Sequence, residues 1–147
     1  MSSFKIYNEV SKPNEQEKEA IVQFLYTHLE EFGDDKDAIL KCLNFAVKDS
    51  DTGLGGFVLV LNDEKETLGI TIVNKTGMEG YIPENILVYI AVHNNARGKG
   101  VGKKLMQKAI EISDGDIALH VEPNNPAKFL YEKLGFENKY LEMRLKK

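Results

Sequence analysis

The chain has 147 residues, a formal net charge of −4 and one cysteine, which suits a single domain with a real hydrophobic core. No apolar run approaches the ~18 residues needed to span a bilayer, and the opening M-S-S-F-K-I-Y lacks a signal-peptide core, so the expected location is cytoplasmic. Cys42 alone excludes an internal disulfide and a cysteine metal cluster, and mild acidity without an aromatic-basic stripe excludes a nucleic-acid partner.

Phe4, Ile6 and Val10 alternate with polar residues, as in a strand. Asn14 then opens a helix as N-cap, with Glu17 three residues on in a capping-box arrangement. Ile21, Phe24, Leu25, His28 and Phe32 form its apolar stripe, and Gly33 ends it. His28 on that stripe reads as a hydrogen-bonded core histidine. A second helix begins at Asp34 or Asp35 and carries Ile39, Cys42, Leu43 and Ala46 inward, Cys42 as a small core residue. The loop 49–56 precedes two strands, Phe57–Leu61 and Thr67–Asn74, joined by a hairpin at Asn62-Asp63-Glu64. A longer connection, 75–83, leads into Ile86–Val92, an unbroken β-branched run expected to be buried on both faces.

His93, Asn94 and Asn95 end that strand, and Val101, Leu105, Ala109 and Ile112 line one face of the helix beyond. Ile117, Leu119 and Val121 alternate along another strand. The P-N-N-P that follows starts a helix with Ala127, Leu130, Tyr131 and Leu134 on one face. Gly135 stops it, and Leu141, Met143 and Leu145 alternate in an expected last strand. The order β-α-α-β-β-β-α-β-α-β describes one α/β domain over residues 1–147, a mixed, mostly antiparallel sheet flanked by helices.

One segment breaks a local rule. Arg97, Lys99, Lys103 and Lys104 surround a helix start, where the macrodipole is already positive, in a chain of negative net charge. A bound polyanion would compensate them, held by free backbone N–H groups and approached closely at Gly98, Gly100 and Gly102. A diphosphate fits that description. Neither the Rossmann G-x-G-x-x-G nor the Walker A spacing is met.

What the segment does match is R-x-x-G-x-G, at Arg97, Gly100 and Gly102, directly after an apolar strand. This resembles the acetyl-CoA pyrophosphate loop of the GCN5-related N-acetyltransferases, the GNAT superfamily. A second segment is similar to the other signature of that superfamily, through Asn124, Ala127, Tyr131 and Gly135-Phe136. The resemblance implies a GNAT-like fold with acetyl-CoA as co-substrate. Ile90 and Val92 would then pair through their backbones with the pantetheine arm. Arg97, Gly98, Lys99, Gly100, Val101, Gly102 and Lys103 would wrap the pyrophosphate. Asn124 would bond the cofactor near the pantetheine beside Ala127, and Tyr131 would stand at the sulfur as acid for the leaving thiolate.

The amine must lose a proton before it attacks. Glu84 is a candidate base acting through water, on the face of Ile90 and Val92 provided that no bulge intervenes. His93, His120 and Glu122 are alternatives, each with a bland reading as a surface or capping residue. No cysteine lies in either motif, so direct transfer in a ternary complex is expected. The superfamily's acceptor site is usually built from the first two helices, their junction and the later hairpin. At that junction Glu30, Glu31, Asp34, Asp35 and Asp37 form either an acidic rim for a cationic amine or an ordinary solvated helix start.

The expected activity is therefore acetyl transfer to the primary amine of a small acceptor, a cationic one if the acidic junction is a binding rim. Acetylation of a protein or peptide amine, or acetyl-CoA binding without catalysis, are the alternatives. No nucleic acid or membrane partner is implied, and the edge strands allow a homodimer without requiring one.

Overall fold

The computed structural model describes all residues from Met1 to Lys147. In chain order the elements are β1 (Ser3–Tyr7), α1 (Glu15–Leu29), α2 (Lys36–Ala46), β2 (Gly56–Asn62), β3 (Thr67–Lys75), β4 (Asn85–Val92), α3 (Val101–Ile112), β5 (Ile117–Leu119) and α4 (Ala127–Lys133). Two 3-10 turns, Glu30–Phe32 and Asn94–Ala96, follow α1 and β4.

The five strands lie in sequence order in one sheet. β1 to β4 run antiparallel to their neighbours, and β5 joins β4 in parallel through the α3 crossover. The β2–β3 hairpin is closed by Asp63 Oδ1, which accepts from the N–H groups of Lys65 and Glu66 at 2.8 Å each. β2 is apolar on both faces because both are covered. Val58 and Val60 meet α1 and α2, and Phe57, Leu59 and Leu61 meet α3. The capping box is formed, Asn14 Oδ1 accepting from Glu17 N at 2.8 Å and Glu17 Oε1 from Asn14 N at 2.9 Å. It starts a helix that buries Ile21, Val22 and Leu25. Burying each such side chain stabilises the fold by roughly 1.5–3 kcal/mol. α3 lies close over β3 because Gly69 has no side chain, where a Cβ would come within 2.6 Å of Leu105 Cδ1.

Two departures from the sequence reading matter. The expected strand at Leu141, Met143 and Leu145 does not form, and these residues are 85, 90 and 86% exposed. Alternation says which side chains would share a face, but a strand also needs an edge to pair with and a surface to cover. Neither meets this segment, and β5 offers only three paired residues. The second departure is a bulge in β4. Ile72 opposes Tyr89 and Val73 opposes Leu87, so Val88 has no partner and is 38% exposed instead of buried.

A carboxylate ties the start of α1 to the end of α2. Asp49 receives Lys12 Nζ and Lys18 Nζ at 2.7 Å each, and these bonds hold its carboxyl below the usual range. Lys18 is buried, and Asn44 Oδ1 at 3.0 Å is its other short contact. A depressed folded value contributes stability above the unfolded value of about 3.9 and loses it as pH falls through the lower folded value. Asp49→Asn should therefore cost about 1–3 kcal/mol at neutral pH. In urea unfolding, the gap from the wild type should narrow as pH falls below about 3.9.

Candidate active site

The site begins where the parallel pair β4 and β5 separates. Asn85 to Leu87 pair with Ile117 to Leu119, and beyond Leu87 the β5 side of β4 has no neighbour. The outward direction of the β4 backbone follows from two bonds. His93 N donates to Leu68 O at 2.8 Å, and Tyr89 O accepts from Thr71 Oγ1 at 2.7 Å, so both face β3. Backbone groups alternate along a strand. Those of Ile90 and Val92 therefore face the open edge.

Past the Asn94–Ala96 turn the chain enters the glycine-rich segment. Gly98 and Gly100 both have φ of +80°, which lets the backbone turn into α3 without steric cost. Lys104 N is the first to bond back within the helix, to Gly100 O at 3.1 Å. The amides of Val101, Gly102 and Lys103 belong to the first turn, which leaves N–H groups free for an anion. They border a cleft of about 240 Å³, with Val92 and Ala96 on one wall and Leu130 of α4 on the other. A Cβ on Gly102 would stand 3.3 Å from Leu130 Cδ2 and 3.7 Å from Val92 Cγ2, so the bare glycine keeps this cleft open. The ion pairs of the molecule leave Lys99, Lys103 and Lys104 without a carboxylate partner. An anion's chemistry thus fits the free amides, the free ammonium groups and the small residues.

The Arg97 side chain does not turn into the cleft. It borders the cleft, but its guanidinium turns to the end of α1, donating to His28 O at 2.8 Å and pairing with Glu30 at 3.2 Å. His28 is half-buried rather than in the core, and its Nδ1 accepts from Asn94 N at 3.2 Å. The cofactor-side loop is thereby fastened to α1. His93 caps the turn after β4, with Nδ1 accepting from Asn95 N at 3.1 Å and Nε2 3.4 Å from Glu66.

The face expected for Glu84 is a correction. The bulge at Val88 breaks the parity on which its placement depended, so that Leu87 and Ile90, three apart, pack into the same cluster on the α3 side. Its Oε1 accepts from Asp116 N at 2.7 Å, at the end of β4 away from the glycine loop. The backbone N–H groups of Asp116, of Glu84 itself and of Gly80 hold its carboxyl below the usual range, against the direction a general base needs. His120 and Glu122 are exposed beyond β5.

On the opposite wall, Asn124 is exposed in the turn before α4, and Asn125 Oδ1 caps the helix by accepting from Ala127 N at 3.0 Å. Ala127 and Leu130 pack half-buried against the α3-side cluster. Tyr131 is buried among Leu87, Val101, Leu105 and their neighbours, its ring edge-on to Phe136 at 6.1 Å. Burial alone pushes its phenol up to about 12. Leu130 and Ala96 line the cleft without having been expected there. Leu130 was legible only as an apolar helix position, and Ala96 carried no signal.

The parallel pair thus parts beside a cleft lined by the glycine-rich helix start. Residues 54–138, more than half of the chain, match the sequence model of the acetyltransferase (GNAT) domain. The chain belongs to the GNAT acetyltransferase family, whose acyl donor is acetyl-CoA. No curated protein matches its sequence. Among solved structures it is similar to an aminoglycoside N-acetyltransferase in complex with CoA, at 17% identity over 100% of this chain and 96% of that one, with a TM-score of 0.69. A transcriptional regulator from Bacillus halodurans C-125 shares 21% identity over 98 and 99% of the two chains, also at 0.69. The ribosomal-protein-S18-alanine N-acetyltransferase from Escherichia coli shares 17% over 93 and 78%, at 0.64.

Proposed function

We propose that the protein transfers the acetyl group of acetyl-CoA directly to a primary amine of a small acceptor, in the cytoplasm. The observation that carries this reading is the continuity of the open β4 edge with the free first turn of α3, with a buried tyrosine on the facing helix. Acetyl-CoA supplies a thioester carbonyl that an amine can attack. The backbone groups of Ile90 and Val92 take the pantetheine amides as an added strand would. The amides of Gly98 to Lys103, with Lys99 and Lys103, hold the diphosphate, while Asn124 and Ala127 position the arm from the α4 side. Tyr131 is protonated at neutral pH and gives its proton to the departing sulfur, and the proton that the attacking amine sheds returns to the phenolate through solvent. Glu84 has no part in this, and no helix is long and apolar enough to cross a membrane.

The test is release of free thiol from acetyl-CoA against a panel of amines, together with thermal unfolding in CoA. A ligand at 100 times its Kd stabilises the folded state by about 2.7 kcal/mol. A clear rise in Tm with CoA and amine-dependent thiol release are expected. Absence of both would sink the reading, and a rise in Tm without turnover would leave a binding module.

A further inference from the structure

The stretch from Tyr140 to Lys146 takes no part in the packing of the domain. It reads Y-L-E-M-R-L-K, with no glycine or proline to blunt a strand. None of its backbone N–H or C=O groups bonds to the rest of the chain. Tyr140, Leu141, Met143 and Leu145 are each at least 80% exposed. Large apolar side chains so close together and so bare mark an interaction surface.

The one side-chain bond of this stretch runs from Arg144 Nε to Glu142 Oε1, two residues apart. Side chains at i and i+2 share a face in an extended chain and do not in a helix. Glu142 and Arg144 therefore form a charged face, and Leu141, Met143 and Leu145 an apolar one.

The residue order decides what such a strand fits. Laid antiparallel on a copy of itself, with Met143 opposite Met143, it sets Leu141 against Leu145 and Glu142 against Arg144 on both sides of the two-fold axis. Each apolar side chain on that face then meets another, and each acid meets a base. Other arrangements lose this match. Parallel pairing in register opposes Glu142 to Glu142 and Arg144 to Arg144. A slip of one residue opposes Leu141 to Arg144 and Glu142 to Met143. The free edges of the sheet fit less well, since β1 brings Lys5 but no acid and β5 brings no charge.

We propose that residues 140–146 are the interface through which two copies of this chain associate, paired antiparallel about Met143. The edge that the domain itself does not offer this segment is supplied by the same segment of a second copy. The pairing is independent of the acetyl-transfer reading.

The experiment is analytical ultracentrifugation of the wild type, Glu142→Arg, Arg144→Glu and the variant carrying both substitutions. Both positions are exposed, so the fold should hold. One strand pair lies below the roughly 1,200 Å² at which stable interfaces begin, so concentration is varied from about 1 μM to about 1 mM. The wild type should dimerise within that range. Each single substitution opposes like charges on both sides of the axis and should weaken self-association by about tenfold or more. The double variant should recover it, and the two single variants should associate with each other when mixed. A wild type that stays monomeric throughout, as it would if the segment paired with its own β5, overturns the proposal. So do single variants that dimerise as well as the wild type, or a mixture that fails to associate. A second arm reads the register by oxidation with oxidised glutathione. Met143→Cys should cross-link to itself at least about tenfold faster than Leu141→Cys, because only position 143 meets its own copy. Native Cys42 is half-buried, with its thiol pushed up to about 12, and should not compete. Equal cross-linking of the two variants overturns the register and the proposal with it.

Discussion

Replacing Tyr131 with phenylalanine should lower kcat by about a hundredfold or more while CoA protects the variant as well as it does the wild type. The substitution removes one oxygen and keeps the ring that packs among Leu87, Val101, Leu105 and Phe136, so the fold should hold. What is lost, on the proposed reading, is the phenol proton that goes to the departing sulfur. The sign of the pH dependence separates this role from that of a base. Burial raises the phenol to about 12, against about 10 for free tyrosine, so the acid form is lost only as pH rises through that higher value. The wild-type rate should therefore not decline on account of Tyr131 up to about pH 10. A rate that falls between neutrality and that point, and does so no longer in Tyr131→Phe, would show that tyrosine titrates there and that its placement is wrong.

Gly102→Val should do the opposite, removing CoA binding while leaving the folded protein intact. The position lies within α3 and its φ is not in the left-handed region, so valine brings no backbone strain. Its Cβ would press on Leu130 at 3.3 Å and Val92 at 3.7 Å, and its methyl groups would fill the space between them. CoA affinity should fall by about tenfold or more, or at least about 1.4 kcal/mol, read as a lost rise in Tm at fixed CoA concentration. Gly80→Ala, in the connection before β4, is the control. A Cβ there meets nothing within 4 Å, but φ of +95° costs a residue with a side chain about 1–2 kcal/mol. It should lower Tm in the absence of ligand and keep most of the CoA protection. Equal protection of Gly102→Val and wild type would mean that the cofactor lies elsewhere.

Local patterns were legible in the sequence wherever the cause is local. The capping box at Asn14 and Glu17, the hairpin at Asp63 and the apolar face Val101-Leu105-Ala109 are each settled by residues within a turn or two, and each is present. The cation-rich helix start was legible for the same reason, since charge and glycine spacing are sequence properties. Side-chain direction was not. Arg97 sits in the motif, yet its guanidinium goes to a carbonyl 69 residues away, because the end of α1 presents free carbonyls and Glu30 there. The expected face of Glu84 changed because one unpaired residue, Val88, inverts the parity of everything before it. No composition signal marks a bulge, which arises from the register of two strands and not from either one.

By itself the sequence determined the elements up to α4 and the family, because periodicity, capping and spaced motifs act over a few residues. It also determined that a chain of net charge −4 keeps unpaired lysines at one helix start. Only the tertiary structure decided which groups meet. It parted β4 from β5 after Leu87, turned Asp34 onto Tyr89 and left Leu141, Met143 and Leu145 without an edge to join. Each of these depends on a contact between residues far apart in the chain, and such contacts are selected by what the whole fold buries rather than by any local preference.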